Sequence, residues 1–226
     1  MPDSQRFSNR EQAGRLLAGH LLRYAHRSDV IVFGLPRGGV PVAAVVASML
    51  EVALDVVIVR KLGVPWHEEY AMGAVASGNV RVLQPDTVEE LHISAELIEE
   101  LVQRETAEIA RREALYGAQR PGSTLALDGR TAIVVDDGLA TGATMWAAVA
   151  TLRQARPARI VVAVPVGAPD TCAALRAQVD EFICLREPCP FASVGQWYRD
   201  FRQVDDAEVT RLLAVARGRV RPGPAS

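Results

Sequence analysis

Two adjacent carboxylates, Asp136 and Asp137, close a hydrophobic run and open a loop of small and hydroxyl residues, IVVDDGLATGAT over 133–144. Those residue types, in that order, suit a phosphorylated sugar. The backbone N–H groups of Ala140, Thr141, Gly142, Ala143 and Thr144 precede a helix and form a cradle for an anion. Glycine at 142 lets the chain approach a ligand closely. The Thr141 and Thr144 hydroxyls can donate to phosphate oxygens. The two aspartates can accept from vicinal ribose hydroxyls or hold a metal ion through water. An isolated DDG would simply cap the next helix; two acids joined to a Thr/Gly loop after a buried strand favour a ligand site. The loop is not a Walker-type one, because GxxxxGK[ST] is absent, and neither GxGxxG nor GxSxG occurs.

Two other strand-end stretches carry cations. GLPRGGV (34–40) places Arg37 beside Gly38 and Gly39 where a helix begins, and VRKLGV (59–64) places Arg60 and Lys61 after the apolar run from Leu54. Lys61 is the single lysine beside 24 arginines. A chain that has drifted to arginine can keep one lysine by chance. A lysine ammonium is, however, a compact mobile charge, unlike the planar arginine fork.

The elements that position these loops follow from periodicity. DVIVFGL (29–35), LDVVIVR (54–60), RTAIVVDD (130–137) and ARIVVAVPV (158–166) are short apolar runs and predict buried strands. Helical stretches alternate with them, ending with a helix at 169–178, a strand at 181–185 and a helix from Asp205. That alternation predicts an α/β fold, a parallel sheet with helices on both faces. In such a sheet, ligands sit beyond the carboxyl ends of the strands. A capping box at Ser8–Glu11 opens the first helix. AMGAVASG and VRVL, joined at Gly78-Asn79, read as a hairpin. Residues 84–122 are charged and helix-forming, with Glu100–Arg104 and Glu108–Arg112 pairs predicted on a solvated face.

The bulk composition bounds the rest. A chain of 226 residues, 49% hydrophobic, can bury one large core. The formal net charge of -2 argues against nucleic acid as a partner. Cys172, Cys184 and Cys189 lack CxxC spacing and read as idle reduced thiols. No leader-like segment begins the chain, and the longest apolar run, Val40–Leu50, is too short to cross a membrane. A soluble cytoplasmic protein is expected.

The motif VVDDGLATGAT resembles the phosphoribosyl-pyrophosphate (PRPP) motif of type I phosphoribosyltransferases. GLPRGGV resembles that family's pyrophosphate loop, and Val59-Arg60-Lys61 is similar to the Arg-Lys pair ending the second core strand of orotate and adenine members. The match runs from about residue 29 to 186, interrupted by 84–122, and is nearest to uncharacterised predicted phosphoribosyltransferases. The resemblance implies a type I phosphoribosyltransferase core within a single domain, 1–226, with a helical insert at 84–122 and a C-terminal hood at 186–204. It implies transfer of ribose 5-phosphate from PRPP to a nitrogen base, with Mg²⁺, release of pyrophosphate, and a homodimer. Asp136 and Asp137 would hold the ribose hydroxyls and the metal, and 140–144 the 5-phosphate. Arg37, Gly38, Gly39, Arg60 and Lys61 would meet the pyrophosphate. Leu35-Pro36-Arg37 would hold a non-trans peptide.

One position departs from part of the family. Ala140 stands where hypoxanthine-guanine members place an aspartate, as it does in adenine-type members. A general acid or base must then come from elsewhere; His67, Glu68 and Glu69 are placed for it, or form an exposed polar turn. Phe191 and Trp197, with Tyr198 and Asp200 nearby, would stack a purine-like base or else pack the hood or a dimer face. A regulatory protein that binds PRPP or a nucleotide with little catalysis is the alternative, and a hydrolase or phosphorylase with the same pocket is the third reading.

Overall fold

The computed structural model describes residues 6–64, 67–78, 80–117 and 127–219. Five strands form one parallel sheet: β1 (Val30–Gly34), β2 (Ala53–Val56), β6 (Thr131–Val135), β7 (Arg159–Val164) and β8 (Glu181–Cys184), in the order β2-β1-β6-β7-β8. Every residue of β1 and β6 is buried. Such uniform apolar runs belong to strands covered on both faces. The side chains still alternate: Val30 and Val32 enter one core cluster, Ile31 and Phe33 the other. Helices α2 (Gly39–Leu50), α5 (Ala143–Gln154) and α6 (Pro169–Arg176) make the crossovers. The chain builds outward from β1 to β2, then returns to place β6 on β1's other side. The sheet therefore has its switch point between β1 and β6, and a crevice opens beyond their carboxyl ends.

The single strand expected over 54–60 is two. β1 ends at Gly34, whose partner is Val56, and Val57 N–H makes the last bond, to the Gly34 carbonyl (3.3 Å). With no partner left, the chain crosses over. Ser77 N–H donates to the Ile58 carbonyl at 2.9 Å. A second, antiparallel sheet follows: β3 (Val59–Val64), β4 (His67–Ala76) and β5 (Val80–Leu83). The β4–β5 pairing is the predicted hairpin; Asn79 of its turn lies outside the described residues.

The first helix, α1 (Arg10–Gly19), starts one residue later than its capping box suggests. Asn9 is the cap, accepting from Gln12 N–H (2.9 Å), and Gln12 reaches back to Ser8 N–H (2.5 Å). The 84–122 segment carries α3 (Pro85–Glu90) and α4 (Ala95–Tyr116), and its last residues lie outside the described ones. Glu108 meets Arg112 as predicted (2.8 Å), whereas Arg104 turns to Glu105 (3.1 Å). The face of α4 against the core holds Ile98, Leu101 and Ile109, and also Glu105 and Glu113. The last helix, α7 (Asp206–Arg219), packs on α2 and α4. No described helix is long and apolar enough to cross a membrane.

Candidate active site

Both loops at the switch point meet. The β1 loop runs through Leu35–Gly39 and the β6 loop through Asp136–Gly142. Leu35 N–H donates to the Val135 carbonyl (3.0 Å), which ties the loops at their roots. Their contact depends on glycine. A Cβ on Gly38 would lie 2.1 Å from Asp137 Oδ2, and one on Gly39 would lie 2.8 Å from Asp136 Oδ1. Only a bare backbone lets the acidic pair sit this close. The Pro36–Arg37 peptide is cis, the non-trans bond that the resemblance implies.

Asp137 is buried and Asp136 partly so. Burial, followed by the neighbouring Asp137 charge, holds the Asp136 carboxyl well above the ordinary carboxylate range. Burial also raises Asp137, against the opposing pull of Arg10. That arginine, on α1, puts both Nε and Nη2 2.8 Å from Asp137 Oδ2, gives Nη1 to the Arg202 carbonyl (2.8 Å) and lies 4.0 Å from the centre of the Phe201 ring. The Tyr198 hydroxyl donates to the Asp137 carbonyl oxygen (2.5 Å), and its ring stacks on Phe201. The C-terminal segment thus lies over the acids.

A stability consequence follows from Asp136. A folded state that raises this pKa binds the proton more tightly than the unfolded chain does. The resulting stability is fully present below the ordinary value near 3.8 and is lost as pH rises through the folded value. Asp136→Asn is therefore expected to be more stable than the parent near neutral pH, by on the order of 1 kcal/mol, with the gain vanishing in acid. Thermal melts across pH read this directly; an equal effect at every pH would remove the electrostatic cause.

The phosphate side is also formed. Gly142 caps α5 with φ 78°, and no acidic residue or side-chain cap occupies that helix's first turn. The first-turn N–H groups of that helix and its dipole sit beside Thr141, which is exposed, and Thr144, half-buried. Thr171 of α6 steadies the loop by donating to the Ala140 carbonyl (2.7 Å). Leu139 N–H and Ala168 N–H lace it to the β7 loop, through the Val166 and Leu139 carbonyls at 2.8 Å each.

The cations are placed differently from expectation. Arg37 Nη1 lies 3.9 Å from Asp206 Oδ1, at the start of α7, and that same oxygen accepts from Tyr116 OH (2.5 Å). Burial, aided by Asp206, pushes the Tyr116 phenol up to about 12. Arg60 and Lys61 do not end a core strand; they lie in β3 of the second sheet, because β2 stops where β1 does. Arg60 Nε is bound to buried Glu105 of α4 (2.8 Å). Lys61 is exposed, and among the described residues no ion pair engages it.

The aromatic expectation needs correction at Trp197. That residue is 3% exposed in a cluster with Phe7, Ala13, Val166 and Tyr198, so its ring fills a core. Phe191 is half-buried against the same cluster. Phe201, half-buried, lies under Arg10 and against Tyr198, the two residues that hold Asp137. His67, Glu68 and Glu69 belong to β4 rather than a turn, and their side chains lie outside the described residues.

Sequence reasoning missed Arg10, Thr171, Glu105 and Asp206. Only Glu105 leaves a local signal: it shares the helical period of Ile98, Leu101 and Ile109, which puts a carboxylate on an apolar face.

A family model described as the phosphoribosyl transferase domain matches residues 5–191. The chain belongs to this family. Two curated proteins with phosphoribosyl transferase in their names, from two strains of Mycobacterium tuberculosis, are each 43% identical over 207 residues. The alignment takes in 92% of this chain and 46% of each of those proteins, so the chain spans about half their length. The crystal structure of TT1426 from Thermus thermophilus superposes with a TM-score of 0.77 at 41% identity, covering 92% of this chain and 97% of that one. The architecture is that of a type I phosphoribosyltransferase.

Proposed function

We propose that this protein transfers the ribose 5-phosphate group of PRPP to a nitrogen base, purine-like in character, and releases pyrophosphate. The observation that carries the reading is the seat of Gly38 and Gly39 on Asp136 and Asp137, beside the uncapped N-terminus of α5. Three binding features for one substrate converge there: acids for ribose hydroxyls, a helix end for the 5-phosphate, and a glycine loop with Arg37 for pyrophosphate.

The reaction separates an oxocarbenium-like ribose from a departing polyanion, so charge placement dominates. Asp136 and Asp137 orient the sugar by accepting from its hydroxyls. Thr141, Thr144 and the amides of 140–144 hold the 5-phosphate. The Gly38 and Gly39 amides and Arg37 receive the pyrophosphate, with Lys61 as an uncommitted cation after the same crossover. Mg²⁺ suits the hard carboxylate oxygens, and when bound it supplies neutralising charge to the pyrophosphate. Among the described residues no three donors converge at these acids, so the ion would share oxygens with the substrate. Asp136 is the better holder, since Arg10 already occupies one Asp137 oxygen.

One observation favours a second reading, a nucleotide-binding protein with little turnover. Asp137 and Arg37, two groups expected to meet substrate, are already paired by Arg10 and Asp206.

The test is pyrophosphate release on incubation with PRPP, Mg²⁺ and a panel of purine, pyrimidine and other nitrogen bases. Release with at least one base is expected. Tight PRPP binding without release from any base would select the second reading. In the same assay Lys61→Ala is expected to lower turnover more than it weakens binding of a nucleoside monophosphate. Equal losses would remove Lys61 from the leaving-group role.

A further inference from the structure

Away from the switch point, two of the three cysteines converge. The Cys172 and Cys184 sulfurs and a Glu187 carboxylate oxygen lie within 4.8 Å of one another. They come from different elements: Cys172 from α6, Cys184 from the end of β8, Glu187 from the segment after it. Gly167 makes the space. A Cβ there would lie 2.4 Å from Cys172 Sγ and 3.5 Å from Cys184 Sγ, so both sulfurs rest over a bare backbone position. We propose that Cys172, Cys184 and Glu187 form a binding site for a thiophilic divalent cation of the zinc type.

The chemistry of the donor set favours such an ion. Two thiolates and one carboxylate, with a water completing a tetrahedron, match the ligand types zinc takes. A hard ion such as Mg²⁺ is excluded by the sulfurs. Binding releases both thiol protons to solvent and forms two metal–sulfur bonds and one metal–oxygen bond. The local charges then close: two thiolates and Glu187 bring three negative charges, the ion two positive. Arg176, with Nη2 2.5 Å from Glu187 Oε1, supplies the last one. That arginine also lies 5.0 Å from the centre of the Phe182 ring, which fixes it behind the carboxylate. It then orients Glu187 as an outer-sphere partner orients a ligand.

Cys184 Sγ lies 3.1 Å from the Arg186 carbonyl oxygen. Cys172 is buried, Cys184 partly exposed and Glu187 exposed, so an ion enters from the carboxylate side. Cys189, exposed, stands outside the group.

The experiment uses the full chain, reduced and freed of metal, titrated anaerobically with Co²⁺. A thiolate-to-cobalt charge-transfer band in the near ultraviolet, with tetrahedral bands in the visible, is expected to saturate at one ion per chain and to disappear on adding Zn²⁺. Cys172→Ser and Cys184→Ser should each lose the charge-transfer band; Cys189→Ser should keep it. No charge-transfer band in the parent would overturn the site, leaving a pair of thiols that only packs. Retention in Cys172→Ser, or loss in Cys189→Ser, would overturn it equally. Glu187→Gln, a surface change that leaves the fold in place, is expected to weaken Zn²⁺ at least tenfold in a competition titration. Unchanged affinity there would overturn the three-donor site.

Discussion

Gly38→Ala is expected to weaken PRPP binding about a hundredfold, a loss of about 2.7 kcal/mol, while lowering the melting temperature by only a few degrees. The reason is steric and local. Gly38 has φ -62° and ψ -34°, a conformation alanine adopts freely, so the backbone is not the obstacle. The added methyl would instead stand 2.1 Å from Asp137 Oδ2 and 2.8 Å from its Cγ. Something must move, and the carboxylate is the movable part. Turning it away breaks its contacts with Arg10 and withdraws it from the ribose hydroxyls that it is proposed to hold. Overpacking of this kind costs roughly 1–3 kcal/mol, spread between fold and site. Gly19→Ala is the control, since a Cβ there meets nothing within 4 Å; calorimetry with PRPP should find its affinity unchanged. If Gly38→Ala binds PRPP as tightly as the parent does, Asp137 does not contact the sugar.

What the sequence made legible was whatever is local in the chain. VVDDGLATGAT carries its strand, its acids and its helix start in one unbroken stretch, and GLPRGG does the same for its loop. Each could be read without knowing the other's position, and buried apolar strands place both at one sheet edge. The break in LDVVIVR was invisible, because Val56 and Val57 are equally apolar and the signal is the length of β1, a neighbour in space. Trp197 misled for a related reason. A tryptophan in a loop looks like a ligand platform until Phe7, from the other end of the chain, is found packed in the same cluster. The two arginines of the site proper show the limit most clearly. Arg37 stands in a recognisable loop, but its Asp206 partner is set by how α7 folds back. Arg10 stands in an ordinary helix turn, 127 residues from the carboxylate it serves.

Arg10 therefore carries the second large expected effect. Its side chain and that of Asp137 are only 11% and 12% exposed. Replacing it with methionine keeps much of the packing over Phe201 but strands a carboxylate with its counter-charge removed. Breaking such a buried pair from one side costs about 3 kcal/mol, far more than the net contribution of the intact pair. The pH dependence distinguishes this cause from lost packing. Removing Arg10 takes away an influence that lowers the Asp137 pKa, so that pKa, already raised by burial, rises further. The variant's deficit should be small in acid, where the carboxyl is protonated, and should grow as pH rises through the folded value. Asp137→Asn placed in the Arg10→Met background removes the stranded charge and is expected to recover most of the lost stability near neutral pH. Failure to recover, or a deficit independent of pH, would mean that Arg10 acts through its contacts with Phe201 and the Arg202 carbonyl instead. Its charge would then be incidental to the acidic pair. If the recovery is seen, Arg10, which no ligand-binding motif marks, is what keeps the second acid ionised, and the proposed sugar site takes one of its residues from the first helix.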